Sequence, residues 1–241
     1  MIEALRERAA RAGVLLDFDG SLAPIVARPE LAAPAPGARE ALSAIVATYA
    51  VVAVVTDRRA EEIAELLPVP GVRYEGLYGL QASSPELRSP LLARVGRAVA
   101  PVPEAWVEDK GASVAVHFRQ APDPVRARSV LLEALGSIAV GAEMALVEGK
   151  MVVEIVPRGR PLKGGAVQRI VGEADLEAVL YAGDDLADLE AFAALDRLRA
   201  DGVVAVKVAV RGGETPPTLV EAADRIVEGP EGLVALLRQL A

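Results

Sequence analysis

The chain has 241 residues and a mass of 25.1 kDa, long for one compact domain and comfortable for two. Twenty-six Lys and Arg against 34 Asp and Glu leave a net charge of −8, which argues against nucleic-acid binding and against docking on an anionic membrane. With no cysteine and a single histidine, His117, the chain has no disulfide framework, thiol nucleophile, Cys-based zinc site or His-rich metal centre.

The first thirteen residues, MIEALRERAARAG, are charged and helix-prone and lack the apolar centre of a signal peptide, so a cytoplasmic location is expected. Val14–Leu16 is a short apolar run that ends in the acidic loop Asp17-Phe18-Asp19-Gly20-Ser21. Residues 34–49 read as a helix with Leu42, Ile45 and Val46 on its apolar face. Residues 51–55 (VVAVV) read as a strand, followed by Thr56-Asp57-Arg58-Arg59 and a helix over 60–67. The longest uncharged run, 41–56, holds sixteen residues and is too short for a membrane helix, which needs about 20.

The same rhythm returns late in the chain. A helix is expected near 163–171, a strand over 178–182, the acidic loop Gly183-Asp184-Asp185, and a helix over 186–195. Strands over 203–208 and 225–227 and a helix over 230–240 complete it. Apolar strands alternating with helices predict a parallel sheet between helical layers. The middle reads differently: residues 114–118 and 151–155 alternate, 142–147 is strand-like, and 124–137 is helical. Proline clusters at 101–103 and 157–161 bracket much of it. The expected organisation is a core from 1–84 and 159–241 with an inserted α+β unit at 85–158.

Three polar loops follow three predicted parallel strands: Asp17/Asp19, Thr56, and Asp184/Asp185/Asp188. Ligands in open α/β sheets bind outside the carboxyl ends of the strands, so these loops are expected to converge. Lys163, at a predicted helix start, can reach the same crevice. Taken singly, each loop is compatible with turn and capping chemistry. Their order and placement favour a shared site. Several carboxylates around one point call for a cation, and oxygen ligands without His or Cys suit Mg²⁺.

These motifs resemble those of haloacid-dehalogenase superfamily phosphohydrolases, and within them the sequence is similar to the trehalose-6-phosphate phosphatases over nearly its whole length. LLDFDGSLAPIV matches the first motif of that family, VVTDRR falls at its Ser/Thr-Gly-Arg motif, and GLYGLQ resembles its Gly-x-His-Gly segment. PLKGGAV and GDDLADLEAF resemble its Lys-Gly and final acidic motifs. VEDKGASVAVHFR and EGKMVVEIVP resemble the sugar-facing strands of its cap. The resemblance implies a Rossmannoid α/β core with an inserted cap of the C2B type, acting on a small sugar phosphate as a monomer.

It further implies that Asp17 attacks phosphorus and becomes an aspartyl phosphate, while Asp19 protonates the departing sugar oxygen. Mg²⁺ would bind Asp17, Asp184 and a main-chain oxygen of Asp19, with Asp185 and Asp188 supporting it. Thr56 and Lys163 would hold phosphate oxygens. Glu108, Lys110, Arg119, Lys150 and Glu154 fall on the sugar-binding pattern, and Lys150 and Glu154 are spaced to share a strand face. His117 has no acidic neighbour in sequence and reads as structural. The sequence departs from the family at Asp57, Tyr78, Gln81, Asp109, Ala187 and Leu189, which bears on substrate preference more than on reaction type. Alternative readings are another sugar-phosphate or phosphoglycosyl phosphatase of the superfamily, or a slow regulatory domain that binds sugar phosphate.

Overall fold

The computed structural model describes residues 2–79, 85–142, 144–149, 151–159 and 162–241. The chain divides into two compact units, one formed by Met1–Gly79 with Pro161–Ala241 and the other by Leu80–Arg160.

The first unit is built on β1 (Ala12–Leu16), β2 (Val51–Val55), β3 (Val72–Glu75), β8 (Ala178–Gly183), β9 (Val204–Arg211) and β10 (Arg225–Glu228). They form one parallel sheet in the order β10-β9-β8-β1-β2-β3. Strand residues feed both faces, as a continuous apolar run requires. Val14, Leu16, Val52 and Val54 pack with Leu42 and Ile45 of α2 (Ala38–Val46), and with Leu233 and Leu237 of α9 (Gly229–Leu240). Leu15, Ala53, Val55 and Tyr181 face the other way, onto Val167 and Ile170 of α6 (Lys163–Glu173) and Phe192 and Leu195 of α7 (Asp188–Ala200).

Several boundaries differ from the sequence expectation. The strand expected over 142–147 is Met144–Gly149, because the helix before it runs on to Gly141, and two more differences have clear local reasons. Helix α2 starts only at Ala38, because Gly37 has φ of 81°, outside the helical region. Helix α7 starts at Asp188 instead of Leu186, because the Asp188 carboxylate binds the Asp184 and Asp185 amides and holds the preceding residues as a turn. Strand β3 was not anticipated. VRYE carries two charges, and only Glu75 of its four residues is buried, as suits an edge strand.

The second unit carries the antiparallel sheet β4-β5-β7-β6, from β4 (Trp106–Asp109), β5 (Val114–His117), β6 (Met144–Gly149) and β7 (Val152–Pro157). Val114, Val116, Val153 and Ile155 share one face and pack with Val95 and Val99 of α4 (Pro85–Val99) and with Leu131 and Leu135 of α5 (Pro124–Gly141). The opposite face carries Trp106, Glu108, Ala115, His117, Val152 and Glu154, as the pleat dictates. Helix α4 was not anticipated: it has Pro90 in its interior and several charges, which mask its apolar stripe.

Candidate active site

Strands β1 and β8 are neighbours at the centre of the parallel sheet, so the loops leaving their carboxyl ends lie side by side. The Asp17 amide donates to the Ala182 carbonyl at 2.9 Å, extending the ladder by one bond into the acidic loop. This brings Asp17, level with Gly183 in the strand register, beside Asp184. The carboxylates of Asp17, Asp184 and Asp188 are all buried, and their ligand oxygens lie within 4.8 Å of one another.

Glycine at two positions makes this approach possible. A Cβ on Gly20, whose φ is +87°, would sit 2.1 Å from an Asp184 carboxylate oxygen. A Cβ on Gly183 would meet the Asp188 carboxylate carbon at 2.2 Å. The glycines of DxDG and GDD therefore do more than permit turns: they leave the volume that the acids occupy.

Lys163 is the first residue of α6 and is buried among these acids. Its Nζ donates to Asp17 Oδ1 at 2.7 Å and to Asp188 Oδ1 at 2.6 Å. Burial alone would lower the lysine pKa, but Asp17 and Asp188 hold the ammonium well above its ordinary range. Its Nζ also lies 5.9 Å from the ring centre of Tyr78. Tyr78 and Leu77 adopt φ of 55° and 50°, and the Tyr78 amide donates to the Thr56 carbonyl, so this left-handed segment lies beside the β2 loop.

Asp188 is fully buried and accepts four hydrogen bonds. Oδ1 takes Lys163 and the Tyr181 hydroxyl, the latter at 2.7 Å, and Oδ2 takes the Asp184 and Asp185 amides, each at 2.8 Å. That uses both oxygens of Asp188 in shaping the loop and aiming Lys163. Ser21 donates to Asp184 at 3.4 Å. Asp185 accepts from the Leu186 amide, and its side chain thus serves its own turn.

Asp19 is held elsewhere in the crevice. Its carboxylate receives Arg58 Nε at 2.6 Å and Arg58 Nη2 at 2.9 Å, a two-pronged ion pair. The Arg58 amide donates to the Thr56 hydroxyl at 3.2 Å, and Thr56 is buried.

Three carboxylates against the one ammonium of Lys163 leave two surplus negative charges in a buried volume. Burial, together with Asp188 and Asp184 and against the pull of Lys163, pushes the Asp17 carboxyl well above its ordinary range. A hard divalent cation fits this donor set and would reverse that push.

In the second unit, Glu108 and Glu154 flank Ala115 in the strand register and so share one row of one face. Lys110, buried, lies 3.9 Å from Glu154, which also accepts from the Ser113 hydroxyl. Arg119 sits in the turn after β5, two residues beyond its last residue. Lys150 and Gln81 lie outside the described residues, and β7 begins at Val152, so a shared strand face for Lys150 and Glu154 has no support. His117 does have an acidic partner: its Nε2 is 2.7 Å from Glu108, and its ring stacks on Trp106 at 4.1 Å. That partner lies across the β4–β5 hairpin, where linear reading does not reach. Arg58, Tyr181 and Ser21 were also missed as parts of the core site. Arg58 carried a signal in the VVTDRR motif; Tyr181 was hidden inside an apolar strand.

A six-stranded parallel sheet with acidic loops at its centre and an inserted antiparallel unit defines a haloacid-dehalogenase-type hydrolase fold. A haloacid dehalogenase-like hydrolase from Bacteroides thetaiotaomicron has this architecture, with a TM-score of 0.66 over 96% of this chain and all of that one, at 15% identity. The trehalose-phosphatase family model matches residues 93–219, more than half of the sequence, and the chain belongs to that family. It is 31% identical over 232 residues to the trehalose-phosphate phosphatase of Mycobacterium leprae, covering 86% of this chain and 52% of that protein. The chain thus spans about half the length of that relative. Its fold is also that of the C-terminal domain of the C. albicans trehalose-6-phosphate phosphatase, with a TM-score of 0.82 over 99% of this chain and 95% of that domain, at 18% identity.

Proposed function

We propose that this chain is a Mg²⁺-dependent phosphomonoesterase that converts trehalose 6-phosphate to trehalose and phosphate. The observation that carries the reading is the buried contact of Asp17 with Lys163, beside Asp184 and Asp188 and at the carboxyl ends of central strands. The family membership and the Mycobacterium leprae relative, a trehalose-phosphate phosphatase, support the substrate.

In this reading a carboxylate oxygen of Asp17 attacks phosphorus, and a bond forms between them as the bond from phosphorus to the sugar oxygen breaks. Asp19 must first leave its ion pair with Arg58 and take up a proton from solvent, and it then delivers that proton to the departing oxygen. In the second step Asp19 takes a proton from water, the water oxygen bonds to phosphorus, and the acyl phosphate bond breaks to restore Asp17. Lys163 and Thr56 hold the phosphate oxygens throughout. Asp17, Asp184 and the main-chain oxygen of Asp19 would hold Mg²⁺, which when bound supplies positive charge against the phosphate dianion. Asp188, with both oxygens engaged, keeps Lys163 and the 184–185 loop in place, and Asp185 serves the same loop.

We place the sugar against the face of the second unit that carries Glu108, Lys110 and Glu154, with Arg119 and Lys150 as further candidates, and we read that unit as a cap. Carboxylates accept from sugar hydroxyls and lysine donates to sugar oxygens; Glu108 and Glu154 stand in one row there, and Lys110 lies 3.9 Å from Glu154.

The test is phosphate release from trehalose 6-phosphate, sucrose 6-phosphate and glucose 6-phosphate, with and without Mg²⁺. Trehalose 6-phosphate should be the best substrate, and chelation should abolish turnover. Asp17→Asn should lose at least about 10³-fold in kcat, since an amide is a poor nucleophile. Release of phosphate by that variant near the wild-type rate would remove the covalent mechanism.

A further inference from the structure

We infer that His117 and Trp106 are specificity-determining residues: His117 holds the Glu108 carboxylate in place for a sugar hydroxyl, and Trp106 holds His117. The inference rests on the reading of this face of the second unit as the one that takes the sugar, and it deepens that reading by naming what fixes one of its acceptors.

The strand register sets up the arrangement. Trp106 stands directly across from His117 in the β4–β5 pair, and Glu108 stands across from Ala115. Glu108 and His117 are therefore diagonal neighbours on one face, within reach of long side chains. The rings of Trp106 and His117 stack with centres 4.1 Å apart and planes 12° apart. That contact orients the imidazole, and its Nε2 meets Glu108 Oε2 at 2.7 Å. A carboxylate only accepts, so the hydrogen is on Nε2, whether the ring is neutral or charged. Val152, across from His117 on β7, and Ala115, across from Glu108, have no polar side chain to serve instead.

Glu154, in the same row as Glu108, is held in a different way, by the Ser113 hydroxyl and by Lys110. Both acceptors of the row are thus fixed by protein groups before any sugar arrives. A glutamate fixed in advance has less rotamer freedom to lose on binding, which turns a hydroxyl contact into affinity and selectivity. One hydrogen bond from His117 does this without filling the carboxylate, which has about four acceptor positions. The side chains of His117 and Glu108 are only 19% and 22% exposed, so water competes weakly for their bond.

The experiment compares trehalose 6-phosphate with p-nitrophenyl phosphate, which has no sugar to place, across variants of His117. His117→Phe keeps a ring to stack on Trp106 but has no N–H for Glu108. His117→Gln keeps a donor and loses the stack, and His117→Ala loses both. In His117→Phe and His117→Ala, kcat/KM for trehalose 6-phosphate should fall about tenfold or more, and that for the aryl phosphate by less than about twofold. His117→Gln should recover part of the loss. If His117→Ala fails to fold, the Phe and Gln variants stand in its place. Adding His117→Phe to Glu108→Ala should cost the sugar phosphate nothing further. Trp106 is the only tryptophan of the chain, so its emission reports directly on this face. Trehalose should shift that emission saturably in the wild type, with a dissociation constant raised about tenfold in His117→Phe. Equal losses on both phosphates, additive losses in the double variant, a His117→Gln enzyme no better than His117→Phe, or emission that trehalose leaves unmoved would overturn the inference. Failure of the functional reading would be seen separately, in a wild type that hydrolyses glucose 6-phosphate or sucrose 6-phosphate better than trehalose 6-phosphate.

Discussion

Asp188 shows how much one side chain can settle in this site. Its four hydrogen bonds tie Lys163, Tyr181 and two loop amides to a fully buried carboxylate. Asp188→Asn replaces an acceptor oxygen with an amide donor facing either the Lys163 ammonium or the two amides. Both Lys163 and the loop should shift, with kcat falling about 10²-fold or more and stability by about 3 kcal/mol, the lower end for breaking a buried ionic network. Circular-dichroism melting alongside phosphate release checks this. Tyr181→Phe removes one of the four bonds and leaves the ion pair, so the expected loss is about 1–2 kcal/mol of stability with a smaller effect on turnover. The acids of this network were legible in the sequence because they interrupt apolar strands. Tyr181 was not, because a buried tyrosine within AVLYAG looks like packing until its hydroxyl is seen to have a partner.

At the scale of elements, Gly164 decides how near α6 comes to α7. A Cβ there would lie 2.4 Å from the Glu190 carbonyl oxygen and 3.4 Å from the Ala194 side chain. Gly164→Ala should push α6 outward and take Lys163, the adjacent residue, away from Asp17. Overpacking of this type costs about 1–3 kcal/mol, and the turnover loss should exceed what that stability change alone implies. A second prediction concerns the tie between β3 and α6. Burial raises the Glu75 carboxyl pKa, but hydrogen bonds from Arg169 and Arg73 outweigh it and hold the value below the ordinary 4.5. Because the folded value is depressed, this contribution is complete above about 4.5 and is lost as pH falls through the lowered folded value. Acid unfolding of Glu75→Gln, followed by fluorescence, should show less pH dependence in that range than the wild type. The parallel strands and their helices were legible from continuous apolar runs. Strand β3 and helix α4 were not, since Arg73 and Glu75 disguise the first and Pro90 the second.

For the molecule as a whole, a charge of −8 opposes the approach of the dianionic sugar phosphate proposed as substrate, while Lys163 is enclosed among acids and Arg58 is paired with Asp19 and Glu62. Raising ionic strength from about 0.02 to 0.2 M at constant free Mg²⁺ should therefore raise kcat/KM, by roughly twofold, as the repulsion is screened. A fall instead would mean that exposed cations dominate the approach. The change between continuous and alternating apolar patterns falls near the points where the chain divides into its two compact units. The Glu108–His117 contact was not legible, because it depends on a hairpin register that composition does not specify.

The strand order has a consequence for how the protein is made. Synthesis delivers β1, β2 and β3 first, in that spatial order, and β1 then has no partner on its other side until β8 emerges. Between the two the ribosome makes the whole of the second unit, which has a core of its own. The nascent chain must carry an open edge strand of Ala12–Leu16 through that interval, apolar on both faces and ready to pair with any extended segment. What ends the exposure is β8, and with it the loop that carries Asp184 and Asp188. Closure of the sheet and assembly of the acidic site are thus one event in the birth of the molecule, and a chain arrested before β8 would offer the cell a sticky edge and none of the acids that complete the site.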